Sequence, residues 1–315
     1  MLKTLAFASL LTSAAVAQNS STSANPLIPT GISSSCTTFL NALNSDSGLT
    51  GCLSALSKAT SAFAPGSSTT PSSAAVSSAL DNLCDDSVTN SCSDSVVRSQ
   101  ITQFYAACPD ELVKNPVDSV VSIYDVLYTL TPLRQSVCSK DDSDSWCVMA
   151  PSTTSREVSE SVGSSGLSTT ELLALLYTDN SALKRRAEVP AIVPNITTYH
   201  DTNLPFLFLK PDIDATALCT TCTRLVITNY VKFESDTPYA PGLTNSKLLD
   251  TQQPLYDAIT QKCPADFLNG AVQAAGGLGK SGGLFSGATS AISSEYQAVL
   301  AIAMGVTTLA VSFGF

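Results

Sequence analysis

Residues 97–108 read VRSQITQFYAAC, and this stretch decides the fold class. Its apolar side chains recur every three or four positions, which is the spacing of one face of an α-helix. These side chains are Val97, Ile101, Phe104, Tyr105 and Cys108. Residues 36–43 repeat the pattern and begin on Cys36. The chain therefore combines amphipathic helices with cysteines placed on their apolar faces.

The same periodicity predicts further helices. Asn115 and Pro116 are expected to be the N-cap and the first residue of one, because the fixed φ and missing N–H of proline cost nothing there. Pro132 should kink or end that helix. Only residues 204–209 and 189–198 are expected to be extended. The prediction is a mainly α protein, a disulfide-stapled helical bundle or array with Ser/Thr-rich disordered linkers and at most one or two short extended segments.

The composition excludes several classes of protein. The 315 residues are 44% hydrophobic and 13% charged, which suffices for one or two domains with a core and excludes disorder of the whole chain. The 16 basic and 26 acidic residues give a net charge of -10, so nucleic-acid binding is not expected. Ten cysteines against one histidine favour disulfides over metal sites, and no cofactor is expected.

The first residues carry the pattern of a secretory signal peptide. Lys3 supplies one positive charge, residues 5–11 are apolar, and a run of small residues ends on Ala17. We expect residues 1–17 to be cleaved after Ala17, so that the mature chain begins at 18. The alternative is a buried N-terminal helix.

The last residues carry the pattern of a glycosylphosphatidylinositol (GPI) anchor signal. The small residues Ser286, Gly287 and Ala288 are followed by a polar spacer and by the apolar run 298–315. Small residues at the cut, a spacer and an apolar tail are the features of such a signal. We expect attachment at Gly287 or Ser286 and removal of the tail. The alternatives are a retained membrane helix, since the run is just long enough to cross the hydrocarbon, and a packed core helix.

The composition along the chain predicts its domain layout. Segments rich in Ser, Thr, Ala, Gly and Pro occur at 18–35, 64–73, 151–170 and 276–294, where too few large side chains are present to offset the entropy of ordering. These segments are expected to carry O-linked glycans, and the last should act as a stalk. Between them lie two helical halves, 36–150 and 171–275, which we expect to share a core.

The cysteines lie between the two terminal signals. They are Cys36, Cys52, Cys84, Cys92, Cys108, Cys138, Cys147, Cys219, Cys222 and Cys263. An even number in an exported chain favours complete pairing, with each bridge contributing about 2 to 4 kcal/mol. Seven precede the central linker and three follow it, so at least one bridge must join the halves. We predict a Cys138–Cys147 bridge and a bridge from Cys263 to Cys219 or Cys222.

Cys219-Thr-Thr-Cys222 has the spacing of a redox Cys-x-x-Cys pair or of two zinc ligands. A redox pair needs a low-pKa thiolate at a helix start that follows a strand, whereas this pair lies within a helical pattern. We interpret both residues as partners in structural disulfides, with a redox site and a zinc site as the alternatives.

The order of these features resembles a known family. The matching features are Cys36-Thr-Thr-Phe-Leu, the helical cysteines at 84, 92 and 108, Cys138, Trp146-Cys147, Cys219-x-x-Cys222 and Cys263. They are similar to the cysteine-rich fungal surface proteins catalogued as domain of unknown function 7729. The resemblance covers residues 36–263 without the linkers. It implies a secreted fungal protein, commonly lipid-anchored, with no established activity, and it supplies no catalytic residues.

Short motifs predict modification of the chain. Asn195 and Asn19 both stand in Asn-x-Ser/Thr and are expected to be N-glycosylated. Lys184, Arg185 and Arg186 match the dibasic site of a kexin-type secretory protease, whose acidic subsites bind adjacent cations. The alternative is a helix that ends in positive charge. A cut there would leave the two halves joined by the bridge that the cysteine count requires.

His200 is the one imidazole in the sequence that could act as a base. The chain contains neither a Gly-x-Ser-x-Gly turn nor a His-Glu-x-x-His helix, so a serine triad or a zinc hydrolase has no support. We interpret His200 as a surface or loop residue and predict no enzymatic activity.

The expected function is that of a structural or interaction module on the plasma membrane outer leaflet or in the cell wall. Its partners would be the membrane, through the lipid anchor, and cell-wall glycan or other surface proteins. One alternative is a secreted hydrolase that acts on cell-wall polysaccharide through a carboxylate pair with raised pKa in a cleft. The other is a lipid-binding helical module with an apolar cavity.

Overall fold

The computed structural model describes residues 28–43, 45–63, 72–149, 177–179 and 192–268. Several predicted features lie outside these residues, and the predictions made for them stay predictions. They are the signal peptide 1–17 with Ala17, Asn19, the linker 151–170, the dibasic residues Lys184, Arg185 and Arg186, and the C-terminal region with Ser286, Gly287 and the tail 298–315.

Ten α-helices build most of the described part of the chain. They are α1 (Ser34–Leu43), α2 (Ser47–Ala59), α3 (Ser73–Leu83), α4 (Asp86–Ser91), α5 (Asp94–Ala107), α6 (Asp118–Val137), α7 (Ile196–Thr202), α8 (Ala215–Leu218), α9 (Thr221–Asp236) and α10 (Gln252–Lys262). A π-helical turn, Asp110–Lys114, lies between α5 and α6. The mainly α, disulfide-stapled fold class is therefore confirmed.

Two short strands complete the described elements. The strands β1 (Tyr177–Asp179) and β2 (Ile192–Pro194) pair in antiparallel fashion, with Thr178 opposite Val193. Within the described ranges, no helix is both long enough and apolar enough to cross a membrane.

Polar side chains cap the amino ends of several helices. The side chains of Asp46, Asp85, Asn195 and Thr220 each accept a hydrogen bond from a backbone N–H of the helix that follows. The first turn of a helix has N–H groups without helical partners, and these caps satisfy some of them. The starts of these four helices are therefore set by local sequence.

Cysteines follow directly on the last residue of six of these helices. They are Cys84 after α3, Cys92 after α4, Cys108 after α5, Cys138 after α6, Cys219 after α8 and Cys263 after α10. Helix ends fray first, and a bridge at that position ties each end to a neighbouring element.

Helix α6 is the centre of the fold. It packs against α5 and α9, and its side chains are buried over most of its length. Its Tyr124 ring lies 5.3 Å from Phe104 of α5, and its Tyr128 ring lies 5.1 Å from Phe233 of α9, measured between ring centroids. A single apolar cluster includes side chains from both sides of the central linker.

Pro132 does not end α6, so that part of the prediction is wrong, while a kink at Pro132 stays a prediction. The helix continues through Pro132 to Val137. Proline cannot donate a helical bond to the carbonyl four residues earlier, which normally weakens a helix. Here Pro132 is buried, its own carbonyl accepts a bond from the Ser136 hydroxyl at 2.7 Å, and packing around α6 holds the helix together.

The predicted start of α6 is also wrong. The helix begins at Asp118, not at Pro116. The Asn115 N–H donates to the Asp110 carbonyl at 2.7 Å, and the Val117 N–H donates to the Glu111 carbonyl at 2.9 Å. These residues therefore complete the preceding π-helical turn, which the helical periodicity did not indicate.

Residues 204–209 form a compact turn, not the extended segment predicted. The backbone is left-handed at Asn203, Leu207 and Phe208, with φ values of 56°, 51° and 66°. The side-chain amide of Asn203 donates back to a carbonyl of the same turn, and Phe206 is fully buried. Apolar residues buried within a turn produced the sequence pattern of a strand.

Two further segments differ in part from prediction. Within 189–198, residues Ile192–Pro194 are a strand, but α7 already begins at Ile196. The end of the 18–35 segment is ordered, because Ile28 and Ile32 pack against the core. These two isolated large side chains hold the end of the Ser-rich segment against the core.

Candidate functional site

Five disulfides are the main chemical feature of the described residues. The bonded pairs are Cys36–Cys108, Cys52–Cys92, Cys84–Cys138, Cys147–Cys222 and Cys219–Cys263. All ten cysteines of the sequence lie in this described part, and none of them is free.

One of the five bridges joins the two halves of the sequence. Cys147 precedes the central linker and Cys222 follows it, with a sequence separation of 75. Because an odd number of cysteines lies on each side of the linker, at least one such bridge was required, and Cys147–Cys222 is that bridge. The Cys219–Cys263 bridge is one of the two alternatives predicted for Cys263.

The predicted Cys138–Cys147 bridge is wrong. The chain does reverse between these residues, but the Cys147 N–H donates to the Ser139 carbonyl at 2.9 Å. This register places Ser139 opposite Cys147. Cys138, at the end of α6, instead bonds to Cys84 at the end of α3.

Cys219 and Cys222 do not form a functional pair. Cys219 bonds to Cys263 and Cys222 bonds to Cys147, so neither thiol is available to the other or to a metal. Our interpretation of Cys219 and Cys222 as partners in two separate structural disulfides is therefore confirmed for the oxidised protein. The alternatives, a redox pair and a zinc site, are wrong for that form of the protein.

A buried carboxylate lies beside the Cys36–Cys108 bridge. A carboxylate oxygen of Glu111 lies within 4.8 Å of both Sγ atoms, and Glu111 is only 5% exposed. Its Oε1 accepts a hydrogen bond from the Ser33 N–H at 2.5 Å, directly before α1. Its Oε2 is buried and has no hydrogen-bond partner in the described residues.

The surroundings of Glu111 favour its ionised form. Burial by itself raises the pKa of this carboxyl group, but the hydrogen bonds from Ser33 outweigh it, and the pKa is lowered overall. The amino end of α1 adds a partial positive charge at the same place. Glu111 is therefore an anion at neutral pH.

Cys36, Cys108 and Glu111 are also the one set of metal-binding residue types that converges in the described ranges. A thiolate, not a disulfide sulfur, is the form of cysteine that binds a metal. Because the two sulfurs are bonded to each other, the set is not a metal site in the oxidised protein.

A second buried carboxylate, Asp125, holds a loop to the central helix. Its Oδ1 accepts a hydrogen bond from the Tyr239 hydroxyl. Its Oδ2 accepts bonds from the N–H groups of Lys247 at 2.6 Å and Leu248 at 3.2 Å. These bonds fasten the segment 237–250, between α9 and α10, to the middle of α6.

Asp125 has the pKa of a buried group. Burial raises its pKa to about 6, although the hydrogen bonds from Tyr239 and from the backbone act in the opposite direction. The residue has 0% exposure, and both oxygens are occupied by donors from the protein. This geometry makes Asp125 a structural carboxyl group that a substrate cannot contact.

Glu234 of α9 and Gln252 of α10 form a partly satisfied pair. The Gln252 Nε2 donates to the Glu234 Oε2 at 2.8 Å. The Oε1 atom of each side chain is buried without a hydrogen-bond partner in the described residues. Burial raises the pKa of Glu234, and the bond from Gln252 lowers it in part. A proton on Glu234 would remove the cost of burying its charge.

His200 lies between two carboxylates at the end of α7. Its Nδ1 is 3.0 Å from Asp201 Oδ1, and its Nε2 is 3.2 Å from Asp250 Oδ1. The bond with Asp201 raises the pKa of His200, while partial burial opposes this change. With 38% of its side chain exposed, His200 occupies the surface position that the sequence interpretation expected.

The predicted glycan acceptor Asn195 caps α7. Its Oδ1 accepts a bond from the Thr198 N–H at 3.3 Å, and the residue is partly exposed. An N-glycan is attached through the amide nitrogen, so the cap and a glycan use different atoms of Asn195. Glycosylation there stays a prediction.

The sequence reasoning missed both buried carboxylates. Asp125 stands in the apolar stretch of α6 next to Tyr124, and an acid in such a stretch was a signal that could have indicated it. Glu111 gave no comparable signal, because its partner Ser33 is 78 residues away in sequence.

Comparison with known proteins identifies a family without an assigned activity. The family described as Domain of unknown function (DUF7729) matches residues 19–163. This range contains both cysteines of three of the bridges. It contains only Cys147 of the Cys147–Cys222 bridge and neither cysteine of the Cys219–Cys263 bridge. No curated protein and no solved structure matches the chain.

Proposed function

We propose that this member of the DUF7729 family is an exported, GPI-anchored and glycosylated module of the cell surface or cell wall, with a structural or interaction role. The pairing of all ten cysteines is the observation that carries the proposal. Disulfides form and persist in oxidising compartments, whereas cytosolic reductants keep most thiols reduced. A chain with this many bridges is suited to the outside of a cell.

The terminal sequence patterns support the same location. Residues 1–17 direct export in this proposal, with cleavage after Ala17. Ser286 or Gly287 receives the lipid anchor after removal of the tail 298–315. The membrane is then the first partner, reached through the anchor.

Glycosylation and processing complete the proposed maturation. Asn195 and Asn19 carry N-glycans in this proposal, and the Ser/Thr-rich segments carry O-glycans. Cleavage at Lys184–Arg186 is included as a processing step. The Cys147–Cys222 bridge would keep the two pieces together, so that they separate only after reduction.

The packing of the described residues supports a role as a rigid module. Bridges hold six helix ends, and the central helix α6 is buried on most of its surface. A rigid surface binds a partner without a large cost in ordering entropy. Cell-wall glycan or another surface protein is the proposed partner.

The proposal assigns no catalytic activity. In the part of the chain that the structure describes, burial raises the pKa of two carboxyl groups, Asp125 and Glu234. Of these, Asp125 is inaccessible and bonded to the loop that it holds. A polysaccharide hydrolase would need two acids open to substrate on opposite sides of a glycosidic bond. The buried position of Asp125 favours the structural role.

Release from intact cells tests the proposed location and anchor together. The full-length chain, with an epitope tag placed after residue 18, is expressed in its host and treated with phosphatidylinositol-specific phospholipase C. We expect the tag to be accessible to antibody on intact cells before treatment and to enter the medium after it. Retention in the membrane fraction after treatment would contradict the anchor.

A matched variant separates anchoring from export. Gly287→Trp combined with Ser286→Trp replaces the small residues that the attachment reaction requires. This variant should lose the phospholipase-sensitive surface pool, whereas the same substitutions upstream, at Ser281 and Gly282, should leave it. Wild-type protein found in the cytosol with free thiols would contradict the whole proposal.

A further inference from the structure

We propose that Glu111 protects the Cys36–Cys108 bridge against reduction, by placing a fixed negative charge beside both sulfur atoms. This role rests on the proposed oxidised, exported state, but it concerns the reactivity of one bridge and not the location of the protein. A failure here would therefore leave the location and anchor intact.

The first support is the distance between charge and sulfur. A carboxylate oxygen of Glu111 lies within 4.8 Å of the Sγ atoms of Cys36 and Cys108. Both cysteines have 0% exposure, and Glu111 has 5%. Water therefore screens the interaction less than it would at the surface.

The second support is that no basic side chain of the described residues pairs with Glu111. The basic residue on the same turn, Lys114, pairs instead with Asp110 at 2.6 Å and is largely exposed. Ser33 donates to Oε1, while Oε2 has no hydrogen-bond partner within the described ranges. The carboxylate is thus held in place by one oxygen and keeps its charge next to the bridge.

The third support is the chemistry of thiol reduction. A reductant thiolate attacks one Sγ, a mixed disulfide forms, the Cys36–Cys108 bond breaks, and the other Sγ leaves with the electron pair as a thiolate. A second reductant thiolate then attacks the mixed disulfide and releases the remaining cysteine as a thiolate. The two reductant thiols become one disulfide, and the two cysteines take up protons from water.

Negative charge opposes both parts of the first step. Because both Sγ atoms are buried, a reductant thiolate reaches the bridge only when the chain around it opens locally. Glu111 is three residues from Cys108, so its carboxylate stays close to the bridge in such an opening and repels both the incoming and the leaving thiolate. Repulsion raises the free energy of approach and the pKa of the leaving thiol, and both effects slow the reaction. The effect depends on the charge of the reductant, which a purely structural role would not produce.

Three thiols of different charge test this role on the full oxidised protein. Cysteamine is a cation, 2-mercaptoethanol is neutral and glutathione is an anion at neutral pH. The rate of opening of each bridge is measured by alkylation of the released thiols at set times, followed by peptide mapping. We expect Cys36–Cys108 to show the largest ratio of cysteamine rate to glutathione rate among the five bridges.

Glu111→Gln supplies the decisive comparison. It keeps the size of the side chain and removes its charge, so the cysteamine-to-glutathione ratio at Cys36–Cys108 should fall by roughly three- to tenfold. The ratio at Cys219–Cys263 should not change. The control Asp118→Asn removes an exposed carboxylate that pairs with Lys247 and should leave the Cys36–Cys108 ratio close to that of the wild type.

Two outcomes of this comparison would overturn the role. If Glu111→Gln raised the rate of reduction of Cys36–Cys108 by the same factor with all three thiols, the residue would act only by holding the start of α1. An unchanged ratio would show that the charge has no influence on the bridge. If the variant did not fold, the wild-type comparison would decide. A cysteamine-to-glutathione ratio at Cys36–Cys108 no larger than the ratio at Cys219–Cys263 would also overturn the role.

Discussion

Among the described residues, Asp125, Glu234 and His200 each have a raised pKa in the folded protein. Burial raises the pKa of Asp125 to about 6 and also raises that of Glu234. The hydrogen bond with Asp201 raises the pKa of His200. A group with a higher pKa in the folded than in the unfolded chain binds its proton more tightly when folded. All three groups therefore favour the folded state as the pH falls.

We expect the free energy of unfolding to increase as the pH is lowered from 8 to 5. For Asp125 the gain is complete below the unfolded pKa of about 4 and is lost as the pH rises through about 6. A shift of about 2 pKa units corresponds to about 3 kcal/mol. Urea unfolding at a series of pH values, with the disulfides intact, measures the change.

A pair of variants assigns this pH dependence. Asp125→Asn removes the titrating group and should flatten the slope between pH 5 and pH 7. Asp118→Asn removes an exposed carboxylate that pairs with Lys247 at 3.2 Å, and it should keep the wild-type slope. A wild-type slope in Asp125→Asn would mean that Asp125 does not titrate in this range.

At the scale of elements, α6 organises the others by two kinds of contact. Its aromatic side chains pack against α5 and α9. Its Asp125 carboxylate holds the segment 237–250 through the Tyr239 hydroxyl and two backbone N–H groups. Tyr239, Leu248 and Leu249 of this segment are buried in the core, and the bonds to Asp125 fix its backbone and the Tyr239 hydroxyl against α6.

Removal of the Asp125 carboxylate should destabilise the protein strongly. Asp125→Leu leaves the Tyr239 hydroxyl and the N–H groups of Lys247 and Leu248 buried without an acceptor. The expected loss in the free energy of unfolding is about 3 to 5 kcal/mol. Asp118→Leu, at an exposed position of the same helix, should change it by less than about 1 kcal/mol. Equal urea midpoints for the two variants would contradict the anchoring role.

Local patterns predicted most of the helices, because a helix face and a cap depend on residues within a few positions of each other. The faces of α1 and α5 are examples. The errors arose where distant contacts decide the structure. Packing on all sides keeps α6 helical through Pro132, and the buried turn at 204–209 has the apolar content of a strand.

The candidate site was less predictable than the fold for the same reason. The number of cysteines on each side of the linker required a crossing bridge, and Cys147–Cys222 is that bridge. The partner of Cys138 depends on how α3 meets α6, which no local pattern contains. Glu111 reaches its position only when the start of α1 and the end of α5 are brought together.

At the scale of the whole molecule, the two halves form one structure. A single apolar cluster includes residues of both, and α6 packs directly on α9. The Cys147–Cys222 bridge closes a separation of 75 residues, for which the chain-entropy estimate is about 4 kcal/mol. Side chains of the second half therefore belong to the same core as the segment that matches the family.

Peptide mapping of the exported protein, alkylated at collection and digested without reductant, measures which cysteines are bonded to each other. We expect five disulfide-linked peptide pairs, joining Cys36 to Cys108, Cys52 to Cys92, Cys84 to Cys138, Cys147 to Cys222 and Cys219 to Cys263, with no alkylated cysteine. Mostly alkylated cysteines, or two halves without a Cys147–Cys222 link, would contradict this pairing.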